Sequence, residues 1–117
     1  MTAVFIVSLL LSVFFIFASS IKILGWQKMI FDTQLAFFEK YGLNRQIMFL
    51  VGCVELFGAV SIFSSEMIGV IGAASLLVTS AGAICFHVRF DTWKDGIPAV
   101  STLLLSSFVL YAKLNML

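Results

Sequence analysis

Four apolar stretches, each close to the length needed to cross a bilayer, occupy most of this chain and leave little of it to fold in water. They run from about Ala3 to Leu24, from Ile47 to Phe63, from Met67 to Val88 and from Ile97 to about Leu114. About twenty residues at ~1.5 Å each cover the roughly 30 Å hydrocarbon core. A helix is the form such a stretch must take, because a lipid-facing loop or sheet edge leaves backbone N–H and C=O groups without partners. With 62% hydrophobic and 11% charged residues, 117 residues are too few to hide so much apolar surface from water. The expected fold is therefore all-α: a four-transmembrane-helix bundle in a single domain over residues 1–117.

The first stretch carries no basic residue ahead of it and is longer than the roughly 7–15 residues of a signal-peptide core, so it reads as a retained span. The connection Ser64–Glu66 is short enough to make the second and third spans antiparallel neighbours. Asp91, Asp95 and Gly96 are turn formers between the third and fourth, and Pro98 sits in the first turn of the fourth, where proline costs little. The long connection from Gly25 to Gln46 is different. There Met29, Ile30, Leu35, Phe37, Phe38 and Tyr41 offer apolar cover, while Lys28, Asp32, Glu39 and Lys40 suit water. This pattern predicts an interfacial helix, with a loop packed over the bundle end as the alternative.

Six basic residues (Lys22, Lys28, Lys40, Arg45, Arg89 and Lys94) fall on the side where the first and third spans end. The positive-inside rule then puts the long connection in the cytoplasm and both termini outside. A net charge of +1 gives no footprint for nucleic acid. Cys53 and Cys85 form no CxxC pair and are expected to be buried, inert thiols. One histidine is too little for a metal site, and no catalytic nucleophile–base pair or phosphate loop is present.

Polar residues inside the spans are the candidates for function. Glu55, near the middle of the second span, costs about 2.5–3.5 kcal/mol or more at that depth unless it faces inward to a partner. Gly52, Gly58 and Ala59 lie on its side of the helix and allow close approach of another helix. On the first span Ser8, Ser12, Phe15, Ser19 and Lys22 share a stripe. Lys22 can snorkel to water or pair with Glu55, and the sequence leaves both open. The third span carries a further small or polar stripe, Gly72, Ser75, Thr79 and Ala83, followed by Phe86 and His87. Lys22, Glu55, His87, Arg89 and Asp91 are thus expected to gather in the cytoplasmic half of the bundle. The plain readings are a structural ion pair, a hydrogen-bonded helix-end histidine and packing seams.

The order of these elements resembles the DoxX-like family of four-helix membrane proteins. The resemblance rests on FFIFASSIKILGW, YGLNRQIMFLVGCVELFGAV and GAICFHVRFD. Within the family it is most similar to the branch of the nicotinic acetylcholine receptor chaperone NACHO, through Ile21–Lys22, Gly42–Leu43–Asn44, Glu55, Phe86–His87 and Asp91. That resemblance implies an accessory or chaperone-like assembly factor, acting through helix–helix contacts with other membrane proteins. Other relatives imply a membrane subunit of a quinone-linked oxidoreductase or redox-stress complex. A small proton-coupled transporter ranks behind both. No catalytic residue, metal or resident cofactor is expected, with a quinone or a lipid as the candidate ligand. A homodimer in the bilayer is expected from the small-residue seams, and the short loops and bare termini point to a bacterial inner membrane.

Overall fold

The computed structural model describes residues 2–64, 66–90 and 93–116. Among these, every regular element is helical: α1 (Thr2–Leu24), α2 (Lys28–Lys40), α3 (Arg45–Ser61), α4 (Met67–Phe90) and α5 (Ile97–Met116), with one 3-10 turn at Trp93–Gly96. α1, α4 and α5 are long and apolar enough to cross a membrane. α3 has 17 residues and begins and ends two residues earlier than the expected 47–63. Asn44 sets that start, since its side chain accepts from the Ile47 N–H at 2.9 Å and caps the helix.

The stretch between the first two long helices contains α2, which meets α3 at 114°. Each end of α2 has a chemical cause. Gly25, at φ +69°, closes α1 by donating its N–H to the Ile21 carbonyl at 2.7 Å. Gln27 then caps α2 through the Ile30 N–H at 3.3 Å. At the far end Gly42, at φ +83°, lets Leu43 N–H reach the Phe38 carbonyl at 2.9 Å, the reversed turn that ends many helices. Lys28, Asp32, Glu39 and Lys40 are exposed, as is Met29, which does not serve as cover.

The long helices run antiparallel in chain order, α1 against α3, α3 against α4 and α4 against α5, with α5 returning to α1. Their inner faces hold Leu11, Phe15, Ala59, Ile62, Ala73, Leu76 and Val109. Buried among the helices are also hydroxyls: Ser80 and Thr102 bond at 2.7 Å between α4 and α5, and Ser106 donates to the Thr102 carbonyl. The outside is lined by large apolar side chains such as Phe5, Leu10, Val13, Val60, Val78 and Leu104. That distribution suits lipid, whose tails need no polar surface. Cys53 and Cys85 are exposed rather than buried, because lipid tails are as apolar as the bundle interior and give a thiol no hydrophobic drive to face inward.

Helix approach depends on glycine at particular points. A Cβ on Gly58 would come within 2.7 Å of Leu76 Cδ2 and 2.9 Å of the Gly72 carbonyl oxygen. A Cβ on Gly72 would strike Ser61. A Cβ on Gly82, in contrast, meets nothing within 4 Å. Opposite the α2 end, Lys113 Nζ donates to the Ser64 carbonyl at 2.8 Å, so α5 caps the end of the α3 segment. Gly58→Val should therefore lower stability by about 1–3 kcal/mol through forced separation of α3 and α4. Gly82→Ala should cost nothing and should gain slightly from helix propensity. Thermal unfolding of both variants in a mild detergent checks this.

Candidate functional site

Lys22 and Glu55 meet in the bundle interior, with Nζ 3.1 Å from Oε1 and side chains 10% and 5% exposed. Their meeting depends on Gly52, one turn before Glu55 on α3. A Cβ there would lie 2.9 Å from Lys22 Cβ and 3.0 Å from Ile23 Cγ1. The absent side chain is the room through which the lysine stem passes. Ser19, fully buried one turn earlier on α1, continues the same close contact through its carbonyl. Two charges at this depth are tolerable only together, since desolvation of either alone is far costlier than the pair.

The pair lies at the wall of a cavity of about 470 Å³ that α2 roofs. α2 contributes Gln34, Phe37, Phe38 and Tyr41, at spacings of three, four and seven that place them on one helix face. α3 contributes Glu55 with Leu50, Val51 and Val54. α4 contributes Thr79, Ala83, Phe86 and His87, with Val78 and Gly82. Leu50, Val54 and Val78 are also 56%, 43% and 69% exposed, so the cavity opens on the lipid-facing side between α3 and α4. A volume in this range suits a drug-sized molecule, and so does a mostly apolar wall with a few polar groups.

Aromatic rings tie the roof to α4. Tyr41 stacks on Phe86 with centroids 4.9 Å apart, and Phe37 meets the His87 ring edge-on at 5.4 Å. The Tyr41 hydroxyl lies 3.1 Å from His87 Nδ1. The histidine thus joins the roof to the end of α4.

Of the sequence-derived cluster, Lys22, Glu55 and His87 line this one cavity. Arg89 does not line it; it is exposed, with its guanidinium 5.3 Å from the Phe90 ring centroid. Asp91 lies outside the described residues. Among the packing residues, Gly52, Gly58, Ala59 and Gly72 are buried between helices of the same chain. Ser75 turns its hydroxyl back to the Ile71 carbonyl at 2.8 Å, whereas Thr79 and Ala83 border the cavity. Gln34 is absent from the sequence-derived set; its signal was its place at the head of the Phe37, Phe38, Tyr41 face. Arg45 was read only as a topological charge. It donates to the Ile23 carbonyl at 2.9 Å and lies 4.9 Å from the Phe31 ring, closing the end of α1.

Removing one partner of the pair leaves the other charge buried alone. Glu55→Leu or Lys22→Met should each cost about 3–5 kcal/mol, while the double variant should regain most of that loss. Denaturant unfolding of the three proteins, followed by far-UV circular dichroism, measures the coupling.

The comparisons with known proteins bear on this geometry. No curated protein and no solved structure matches the chain. A model described as the DoxX-like family matches residues 6–109, a span that runs from α1 through α5 and includes the ion pair, α2 and His87. The chain is an integral membrane protein and belongs to the DoxX-like family.

Proposed function

We propose that this protein takes a small amphipathic molecule from the bilayer and holds its polar head in the cavity beside Lys22 and Glu55. The carrying observation is that an apolar cavity with a buried ion pair in its wall opens on the lipid-facing side between α3 and α4. The apolar mouth suits a hydrocarbon tail, and the charges and amide inside suit a hydrogen-bonding head.

In this reading the chain crosses the bilayer four times. α3 is the fourth span, its 17 residues reaching about 25 Å and drawing on its flanking turns for the remainder. α2 lies at the interface, its exposed Lys28, Asp32, Glu39 and Lys40 in the headgroup region. Both termini lie outside a bacterial inner membrane, following the basic residues at the α2 end. Maleimide should then reach Lys28→Cys and Glu66→Cys from opposite faces of sealed vesicles, in a background with Cys53 and Cys85 replaced. Labelling of both from one face overturns the four-span arrangement.

The ligand chemistry connects to the quinone-linked relatives that the resemblance implied. A quinone would supply redox chemistry when bound; this chain's residues would hold and orient its head, and a partner subunit would exchange the electrons. The cavity volume and the aromatic faces fit the ring of such a head. The assembly-factor reading is supported less well. Gly52, Gly58, Ala59 and Gly72, the residues best suited to receive another helix, are engaged within this chain. A client helix, or a second copy in a homodimer, would have to dock on a different face.

A cavity-filling variant tests the proposal. The protein is reconstituted from native membranes into lipid nanodiscs, and its extract is compared with bulk lipid by mass spectrometry. One amphipath should be enriched, and Gly82→Phe, which projects into open space beside the cavity, should abolish the enrichment while leaving the fold intact. An extract indistinguishable from bulk lipid in both proteins overturns the reading.

A further inference from the structure

We infer that Gly82 is the sill of the lipid-facing mouth, where the molecule held in the cavity lies flat against the bare backbone of α4. The site is thereby fitted to an amphipath that carries a ring, in preference to one that is a straight chain throughout. The inference rests on the ligand-binding reading above and adds the shape class of the ligand and the residue that selects it.

Glycine inside a helix needs a reason, because alanine in its place would hold the helix more firmly. Among the described residues every other glycine has one. Gly25 and Gly42 adopt positive φ. At Gly52, Gly58, Gly69 and Gly72 a Cβ would run into Lys22, Leu76, the Ser64 carbonyl and Ser61. At Gly96 it would touch His87 Cβ at 3.4 Å. Gly82 has no positive φ, and a Cβ there meets nothing within 4 Å. Neither backbone conformation nor packing within the chain accounts for it.

Its position supplies the missing reason. Val78 lies about one turn before Gly82 and Phe86 about one turn after, and all three line the cavity. Val78 is 69% exposed and, with Leu50 and Val54 of α3, forms the edge that faces lipid. Phe86 lies under the Tyr41 ring beneath the roof. From Val78 to Phe86 the helix rises about 12 Å, with Gly82 at the midpoint. A molecule that enters between α3 and α4 and reaches the rings under α2 therefore crosses Gly82.

A bare backbone suits a flat group. With no Cβ in the way, a ring can approach the peptide plane to van der Waals contact over its whole face. A straight chain is narrow and passes a side chain by rotating a bond, so it gains little from that flatness. Further in, Phe37, Phe38, Tyr41 and Phe86 give a planar group more ring surface to pack against. A methyl group at position 82 would hold the ring off the backbone and forfeit part of that contact.

The test uses two probes with the same hydroxyl group and the same number of carbons, 4-nonylphenol and pentadecan-1-ol. Each is equilibrated with the protein in lipid nanodiscs, and the amount bound in excess of empty nanodiscs is measured by mass spectrometry. The ring probe should bind about ten-fold more tightly than the straight alcohol. Gly82→Ala should remove most of that advantage by weakening the ring probe, while the thermal unfolding temperature without probe stays level or rises. Opposite signs for stability and binding are what a glycine kept for a ligand predicts; a glycine kept for the fold would lose both. Equal affinities in the unaltered protein overturn the inference and leave the ligand-binding reading standing. An unchanged preference in Gly82→Ala, or an equal weakening of both probes, does the same. A change in the mass of the detergent-solubilised protein on Gly82→Ala also overturns it, because a second copy would then be what lies on the glycine. If neither probe exceeds the empty nanodiscs this inference fails, and the ligand-binding reading is judged separately by the enrichment of a native amphipath.

Discussion

A lysine and a glutamate buried side by side in an apolar bundle are the constraint around which this structure is arranged. Neither charge could remain alone at that depth, so α1 and α3 must stay in fixed register. Gly52 is then required, since any side chain there would displace the lysine stem or push α1 away. The register of α1 on α3 in turn places Ser19 and Ile21 in full burial. One ion pair thereby specifies a helix contact that apolar residues alone would leave free to slide, because lipid competes with any apolar helix face.

The rest of the bundle follows the same logic with weaker interactions. Buried hydroxyls on the helices find partners on a neighbouring helix or on their own backbone, as Ser80 does with Thr102 and Ser61 with Phe57, whereas the buried Ser8 hydroxyl has none. Large apolar side chains face outward. Ends are closed by long cations: Arg45 on the Ile23 carbonyl near the end of α1, and Lys113 on the turn after α3. Both basic groups bond to backbone oxygens at helix ends, where the helix dipole and the orphan carbonyls favour a cation.

Much of this was legible in the sequence, and the exceptions have physical causes. Hydropathy marked the long helices because the requirement for apolar length is nearly independent of packing. Glu55 stood out because an ionisable residue in such a stretch needs a reason. Its pairing with Lys22 was not decidable from the sequence, since a long stem near a helix end can reach water as easily as a carboxylate. Thr79 and Ala83 share the stripe of Gly72, yet they border a cavity rather than a helix. The stripe records only which side faces inward, and α2 and α3 decide what stands opposite. Cys53 and Cys85 were misplaced by a rule suited to water, where small apolar groups go inside. Arg89 shows a further limit: three residues C-terminal to Phe86 on the same helix, it sits outside the cavity that His87 lines, because the aromatic rings of α2 cover only the last inward turn.

The cavity exists because α2 and the bundle satisfy different demands. α1, α3 and α4 pack closely where glycine and alanine allow it, around Gly52, Gly58 and Gly72. Towards the α2 end, α3 and α4 carry Val51, Val54, Ala83 and Gly82, and no large side chain fills the space between them. A soluble protein would collapse such a gap, since water would otherwise be left against apolar walls. The amphipathic helix α2 covers the gap with rings on the inside and charges on the outside. The polar groups lie beneath the roof, the ion pair on one wall and Gln34 on another. Such a chamber is less expensive to keep open in lipid than in water, because its apolar walls meet hydrocarbon rather than water.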